Sequence, residues 1–177
     1  MDIRTMSRCA LMTAVIAVLA PISIPLTTMV PVSLATLAVM LAGVVLGPVE
    51  GLICTALYLV LGMIGVPVFA GYAAGIGVLA GVSGGYLIGY LPLAYFSGLF
   101  SAKADHSLLS MALGMVIGTV ILYVIGTVWF IVLTKMPLNA ALLSCVVPFL
   151  GGDALKILAV CLIGPRLKAA VQPARNR

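Results

Sequence analysis

The chain has 177 residues, of which 64% are hydrophobic and only 7% are charged, whereas about 25% of the residues in an ordinary soluble domain are charged. This composition excludes a soluble globular protein and predicts one all-α integral membrane domain over residues 1–177. The formal net charge of +5 requires no nucleic acid as a partner, because basic residues also mark the cytoplasmic loops of membrane proteins.

Six apolar runs, bounded by glycine, proline and charged residues, predict six transmembrane helices. They cover residues 7–22, 34–47, 50–64, 82–100, 108–134 and 150–169. The second run is short, because Leu34 to Leu46 covers only about 20 Å at 1.5 Å per residue, less than the roughly 30 Å of a bilayer core. We therefore expect the loops that flank this helix to enter the protein.

Two long connections are apolar yet rich in residues that break helices. The first, from Pro21 to Val32, contains three prolines, and the second, from Gly65 to Gly85, contains seven glycines with its two ends included. Irregular backbone at membrane depth is tolerated only where it is buried in protein or lines a cavity. Together the two connections predict an internal pocket, although either one alone would suit a loop at the membrane interface equally well.

The distribution of lysine and arginine predicts the orientation of the helices. With six crossings and a cytoplasmic N-terminus, seven basic residues lie on the cytoplasmic side and Lys135 alone lies outside. The seven are Arg4, Arg8, Lys103, Arg166, Lys168, Arg175 and Arg177. Because cytoplasmic loops carry the excess of positive charge, we expect both termini in the cytoplasm and the two long connections on the outside.

Two opposite charges interrupt the apolar sequence at the start of the last predicted helix. Asp153 and Lys156 follow two glycines, and their i, i+3 spacing places them on one helix face. A charged residue at the centre of a spanning helix costs about 2.5 to 3.5 kcal/mol, so such residues pair with each other or face a cavity. We expect the helix to begin near Gly152, with Asp153 in its first turn, where the helix dipole favours an anion.

Two interpretations fit this charge pair. One is a structural ion pair at a capped helix. The other is a binding site for a small polar head group, because a carboxylate accepts N–H bonds and an ammonium donates to a carbonyl or pairs with a carboxylate. The position beside the two long connections favours binding. Aromatic side chains that either form the walls of such a pocket or pack between helices are Phe69, Tyr72, Tyr86, Tyr90 and Trp129.

The sequence contains no motif for catalysis beside the pair. It has no Walker A, H-E-x-x-H or G-x-S-x-G pattern, and its four cysteines form no C-x-x-C pair, so neither a metal nor a cofactor is expected. The one histidine, His106, lies in a polar loop. A membrane enzyme with Asp153 as acid or base therefore ranks lowest, and the main alternative to a binding protein is a self-contained carrier that couples uptake to protons through Asp153.

The first predicted helix carries a pair of small residues. Ala10 and Ala14 form an A-x-x-x-A step, and small residues four apart let another helix approach closely. The step suits a contact within this chain or with a partner subunit.

Four stretches of the sequence together resemble the BioY family, the biotin-specific S components of energy-coupling factor (ECF) transporters. They are residues 30–39 with the following 41–43, residues 65–71, residues 84–87, and Pro148-Phe149 leading to Gly152, Asp153 and Lys156. The resemblance covers nearly the whole chain. The sequence differs from the usual family residues at Ala35, where the family has Gln; at Gly151, where it has Pro; and at Val82 and Ser83, where it has Pro and Thr.

The resemblance implies a six-helix S-component fold in the bacterial cytoplasmic membrane, with a biotin pocket open to the outside and no catalytic activity. With the motifs above, it gives these predicted substrate-binding residues: Thr36, Phe69, Gly84, Gly85, Tyr86, Asp153 and Lys156. It also implies that Ala10 and Ala14 contact the transmembrane coupling subunit and that two ATPase subunits supply the energy.

Overall fold

The computed structural model describes residues 2–24, 31–103 and 107–171. Within these ranges the chain forms helices α1 (Ile3–Leu19), α2 (Ala35–Leu46), α3 (Pro48–Met63), α4 (Ile76–Ala80), α5 (Gly84–Lys103), α6 (Leu108–Thr134), α7 (Leu138–Cys145) and α8 (Val147–Val171), a 3-10 turn at Ala70–Tyr72, and strands β1 (Ser23–Ile24) and β2 (Val32–Ser33). The all-helical class is confirmed. Part of the first long connection (residues 25–30), His106, Arg175 and Arg177 lie outside the described residues.

Four small elements, two strands and two short helices, were not predicted from the sequence. The strands β1 and β2 pair antiparallel, with Ser23 opposite Ser33, inside the proline-rich connection. Helix α4 lies in the glycine-rich connection, and α7 lies between α6 and α8. These elements give backbone N–H and C=O groups partners in segments that would otherwise be irregular at membrane depth, where unpaired backbone groups are costly.

The start of α8 differs from the prediction. The helix begins at Val147, so the expectation that it begins near Gly152 is wrong. The N–H groups of Phe149 and Leu150 both donate to the carbonyl of Val146, and proline at position 148 fits the first turn because the N–H that it lacks would have no helical partner there. Asp153 consequently lies in the second turn, away from the free N–H groups of the helix N-terminus.

Helix α2 occupies the interior of the bundle. It contacts α1, α3, α5 and α8, and ten of its twelve residues are buried. Twelve residues span only about 18 Å at 1.5 Å per residue, so α2 ends well inside the thickness of a bilayer. The chain that leads into its N-terminus is buried as well, since Ser33 of β2 is 8% exposed.

Glycines bring the backbones of α5 and α6 close together. A Cβ placed on Gly89 would lie 3.0 Å from Leu122 of α6, and one placed on Gly118 would lie 3.0 Å from Leu93 of α5. Small residues at such interfaces are typical of membrane helices, which associate by close packing because lipid supplies no hydrophobic driving force between them.

The outward faces of the two longest helices are apolar. Exposed side chains recur along α6 at Val116, Val120, Val124 and Val128, and along α8 at Leu155, Leu158 and Leu162. A continuous apolar surface of this kind suits lipid rather than water. In the described part of the chain, two helical stretches are long and apolar enough to cross a membrane by themselves, Leu108–Thr134 and Leu138–Val171, the second of which takes α7 and α8 together.

Candidate functional site

The connections after α1, α3 and α6 meet at one end of the bundle. The N–H of Gly71 in the second connection donates to the carbonyl of Pro21 in the first, at 3.0 Å. The hydroxyl of Tyr86, near the start of α5, donates to the carbonyl of Cys145 at the end of α7, at 3.4 Å. The N-terminal turns of α2 and α8 therefore lie beside the same cluster of connections.

Lys156 and Asp153 form an ion pair inside this end of the bundle. Lys156 Nζ lies 2.9 Å from Asp153 Oδ1, and the two residues are only 8% and 4% exposed. The ammonium also donates to the Ser33 carbonyl at 2.9 Å and to Thr36 Oγ1 at 2.8 Å. All three ammonium protons thus have protein acceptors. The contact with the Ser33 carbonyl joins α8 to strand β2.

Asp153 is held by donors from three helices. Besides the ammonium of Lys156, Oδ1 accepts from the hydroxyl of Thr36 on α2 at 3.3 Å. The other oxygen, Oδ2, accepts from the hydroxyl of Tyr123 on α6 at 2.6 Å. The pair is therefore neutral overall and hydrogen-bonded throughout, which is the condition under which charges are tolerated in a low-dielectric interior.

Two adjoining chambers open next to the ion pair. The charged chamber has an empty volume of about 350 Å³ and is lined by Pro31, Ser33, Thr36, Tyr86, Tyr90, Leu122, Tyr123, Phe149, Asp153 and Lys156. The aromatic chamber, of about 630 Å³, is lined by Pro31, Ser33, Tyr58, Phe69, Ala70, Ala73, Val78, Ser83, Tyr86, Leu87 and Tyr90. These volumes include space that is open to solvent, and the positions open to the centre of a water molecule occupy about 40 Å³ and 190 Å³ of them. Four residues line both chambers, so the two share a wall.

The structure brings five of the predicted substrate-binding residues to these chambers. Thr36, Asp153 and Lys156 line the charged chamber, Phe69 lines the aromatic chamber, and Tyr86 lines both. The predicted pocket beside the charge pair is therefore present. The binding role of the charge pair stays a prediction, with a structural ion pair as the alternative.

The predicted residues Gly84 and Gly85 have a different environment. A Cβ on Gly84 would meet the backbone of Leu79 in α4, and one on Gly85 would meet the side chain of Trp129 in α6. Both glycines thus permit close packing at the start of α5, and neither belongs to the lining of the two described chambers. Their contact with a ligand stays a prediction.

The other three aromatic candidates, Tyr90, Trp129 and Tyr72, differ in their surroundings. Tyr90 lines both chambers. Trp129 donates its Nε1–H to the carbonyl of Gly81 at 3.0 Å and so secures the glycine-rich connection to α6, whereas Tyr72 is 68% exposed. Only the first of these three is a wall residue.

Sequence reasoning missed two members of the site. Ser33 lies within one of the stretches that resemble the family, but it binds Lys156 through its backbone carbonyl. No pattern of side chains reveals such a contact. Tyr123 is the one tyrosine in the 27 residues of α6. A buried tyrosine hydroxyl usually finds a partner, so a tyrosine between apolar neighbours in this helix was the available signal.

Ala10 and Ala14 lie on the outer surface of α1. Both are exposed, whereas Cys9, Met12 and Ile16 of the same helix are buried against the bundle. The A-x-x-x-A step is thus unused for packing within the described chain.

The comparisons with known proteins decide the family. The BioY family model matches residues 1–173 of the 177. The chain belongs to the BioY family. It is 36% identical over 162 residues to biotin transporter BioY2 of Lactococcus lactis, covering 92% of this chain and 88% of the relative. It is 37% identical over 165 residues to biotin transporter BioY of Thermotoga maritima, covering 93% of this chain and 96% of the relative.

A solved structure supports the same assignment. The crystal structure at 2.1 Å of the S-component for biotin from an ECF-type ABC transporter superposes with a TM-score of 0.86 and 30% sequence identity, covering 94% of this chain and 91% of that one. The BioY-family fold therefore extends over nearly all of the chain.

Proposed function

We propose that this chain is the membrane-embedded subunit of a bacterial ECF-type transporter that captures biotin from outside the cell. The observation that carries the proposal is the buried, fully hydrogen-bonded ion pair of Asp153 and Lys156 beside two connected chambers. The names of the relatives, which are biotin transporters, supply the ligand.

The chemistry of the site suits a neutral polar head group. The ureido ring of biotin offers two N–H donors and one carbonyl acceptor. Asp153 accepts such N–H bonds, while Lys156 and Tyr123 donate to the carbonyl. Both charged groups already have hydrogen-bond partners within the protein, so the ligand would replace some of these bonds instead of supplying missing ones. A head group without net charge would leave the net charge of the site at zero.

The aromatic chamber suits the apolar remainder of the ligand. Phe69 and Tyr86 present rings to this chamber, and burial of apolar ligand surface contributes roughly 25 cal/mol per Å². The ring and side chain of biotin would therefore add affinity here, while the charge pair fixes the orientation of the head.

The membrane arrangement that fits this role has six crossings, α1, α2, α3, α5, α6 and α8, with both termini in the cytoplasm. The short α2 is compatible with this arrangement because the strands β1 and β2 and the chambers occupy the space between its N-terminus and the outer side of the membrane. The chambers then open on the outer side, opposite the cytoplasmic end marked by Lys103 and Arg166.

Transport requires partners, since a binding subunit of this kind lacks its own source of energy. A coupling transmembrane subunit and two ATPase subunits would drive release of biotin into the cytoplasm. The exposed Ala10 and Ala14 on α1 provide a surface on which a second helix packs closely, and we assign this surface to the coupling subunit.

The proposal is tested by calorimetry of biotin binding to the purified chain in detergent. Asp153→Asn and Lys156→Ala should each weaken binding at least tenfold, which is about 1.4 kcal/mol. Lys103→Ala, a matched loss of lysine at the opposite end of the bundle, should leave the affinity unchanged. Wild-type affinity in both site variants would refute the assigned site.

Reconstitution distinguishes a binding subunit from a carrier that works alone. The purified chain in liposomes should bind biotin but should not accumulate it under a pH gradient. Accumulation driven by the pH gradient, without ATPase subunits, would show that the chain is a proton-coupled carrier.

A further inference from the structure

One buried hydroxyl in the aromatic chamber has no partner. Tyr58 of α3 lines this chamber and is 0% exposed. Among the buried side-chain oxygen and nitrogen atoms of the described residues, its hydroxyl is the one without a hydrogen bond. A buried hydroxyl without a partner is unfavourable, so each such group in a folded protein calls for an explanation.

Other polar groups of the site have hydrogen-bond partners. The Tyr86 hydroxyl pairs with Thr127 Oγ1 at 3.3 Å, and the Tyr123 hydroxyl donates to Asp153 at 2.6 Å. The ammonium of Lys156 has its three acceptors. The ion pair and these hydroxyls therefore have hydrogen-bond partners without a ligand. The aromatic chamber, by contrast, is lined by Tyr58, whose hydroxyl has no partner.

Packing fixes the position of this donor. The ring of Tyr58 meets the ring of Phe69 edge to face, with centroids 5.7 Å apart and an interplanar angle of 84°. Phe69 is itself 1% exposed and lies against Gly62, where any Cβ would overlap its ring. This packing orders the Tyr58 ring, which lines the chamber, before a ligand arrives.

We propose that Tyr58 is a specificity-determining residue, whose hydroxyl donates a hydrogen bond to an acceptor oxygen of the ligand portion that enters the aromatic chamber. This inference rests on the proposed function, because it takes biotin as the ligand. Biotin has acceptor oxygens at both ends, the ureido carbonyl and the carboxylate. A ligand that lacks an oxygen at that place leaves the hydroxyl unpaired and binds more weakly, which is how a buried donor discriminates between ligands.

Tyr58→Phe tests the inference, because it removes the hydroxyl and keeps the ring. Calorimetry should show a biotin Kd about tenfold higher than that of the wild type. The thermal unfolding midpoint without ligand should stay the same or rise, since the variant loses only an unpaired polar group. Tyr95→Phe, on the partly exposed Tyr95 of α5, is the matched control and should change neither quantity.

Equal biotin affinity of Tyr58→Phe and the wild type overturns the inference, and so does a fall in affinity that is matched by a fall in the unfolding midpoint, because that would indicate a structural role. Failure of the wild type to bind biotin would overturn the proposed function instead. Biotin methyl ester identifies the acceptor: a smaller penalty for Tyr58→Phe with the ester assigns the carboxylate, because charged acceptors form stronger bonds, and an equal penalty assigns the ureido carbonyl.

Discussion

Removing one charge of the buried pair should destabilise the fold, and removing both should largely restore it. We consider Asp153→Asn, Lys156→Met and the double variant. Both side chains are less than 10% exposed, so each single change leaves a buried charge that has lost its counter-ion. Loss of one partner of a buried pair typically costs about 3 to 5 kcal/mol, whereas replacement of both partners by groups of similar size is often nearly neutral.

The contacts of the pair rank the variants within that range. In Asp153→Asn, the ammonium of Lys156 keeps its acceptors on Ser33 and Thr36, and the new amide oxygen accepts one more bond, so we expect about 3 kcal/mol. In Lys156→Met, the carboxylate keeps only the hydroxyls of Thr36 and Tyr123, and we expect a larger loss, about 4 kcal/mol. The double variant contains no buried charge and should lie within about 1.5 kcal/mol of the wild type.

Unfolding of the four proteins in detergent, followed by circular dichroism and compared in one double-mutant cycle, measures these differences. Biotin titration of the same samples separates stability from binding, since the stable double variant should still bind at least tenfold more weakly than the wild type. A double variant whose destabilisation equals the sum of the two single losses would refute the reasoning, because the charges would then not compensate each other.

Three further predictions follow from individual contacts. Tyr123→Phe removes the 2.6 Å hydrogen bond to the Asp153 carboxylate and should lower the unfolding free energy by about 1.5 to 3 kcal/mol; an unchanged value would show that the bond does not form. Gly151→Ala changes a helical glycine with no atom within 4 Å of its Cβ position and should raise the unfolding free energy by about 0.5 to 1 kcal/mol. Gly85→Ala should lower the unfolding free energy by about 1 to 3 kcal/mol through overpacking against Trp129. Equal effects of the two variants would contradict the close packing of Gly85. Replacing Ala10 and Ala14 together by leucine should leave biotin affinity unchanged but reduce co-purification with the coupling subunit at least tenfold, and full assembly would exclude this face as the contact.

The long helices could be predicted from the sequence because hydropathy alone specifies them. Apolar runs of bilayer length are rare outside membrane helices, and the predicted segment 108–134 coincides with α6. The charge pair was predictable for a related reason, since Asp153 and Lys156 are conspicuous within apolar sequence and their spacing places them on one face.

The finer geometry depends on tertiary contacts that leave little trace in the sequence. Helix α8 extends back through two glycines because Pro148 suits a first turn and the local cost of glycine is small compared with helix formation in an apolar environment. Ser33 enters the site through a backbone carbonyl, which any residue type supplies. Tyr58 and Tyr123 could not be told from packing aromatics until the helices were placed together.

We expect the chambers beside the charge pair to receive biotin. A crystal or cryo-electron microscopy structure of the wild-type chain with biotin bound tests this claim most directly. We expect a polar atom of biotin within about 3.2 Å of the Asp153 carboxylate or the Lys156 ammonium, with the remainder of the ligand beside Phe69. Biotin bound elsewhere, with the pair and both chambers unchanged, would contradict it.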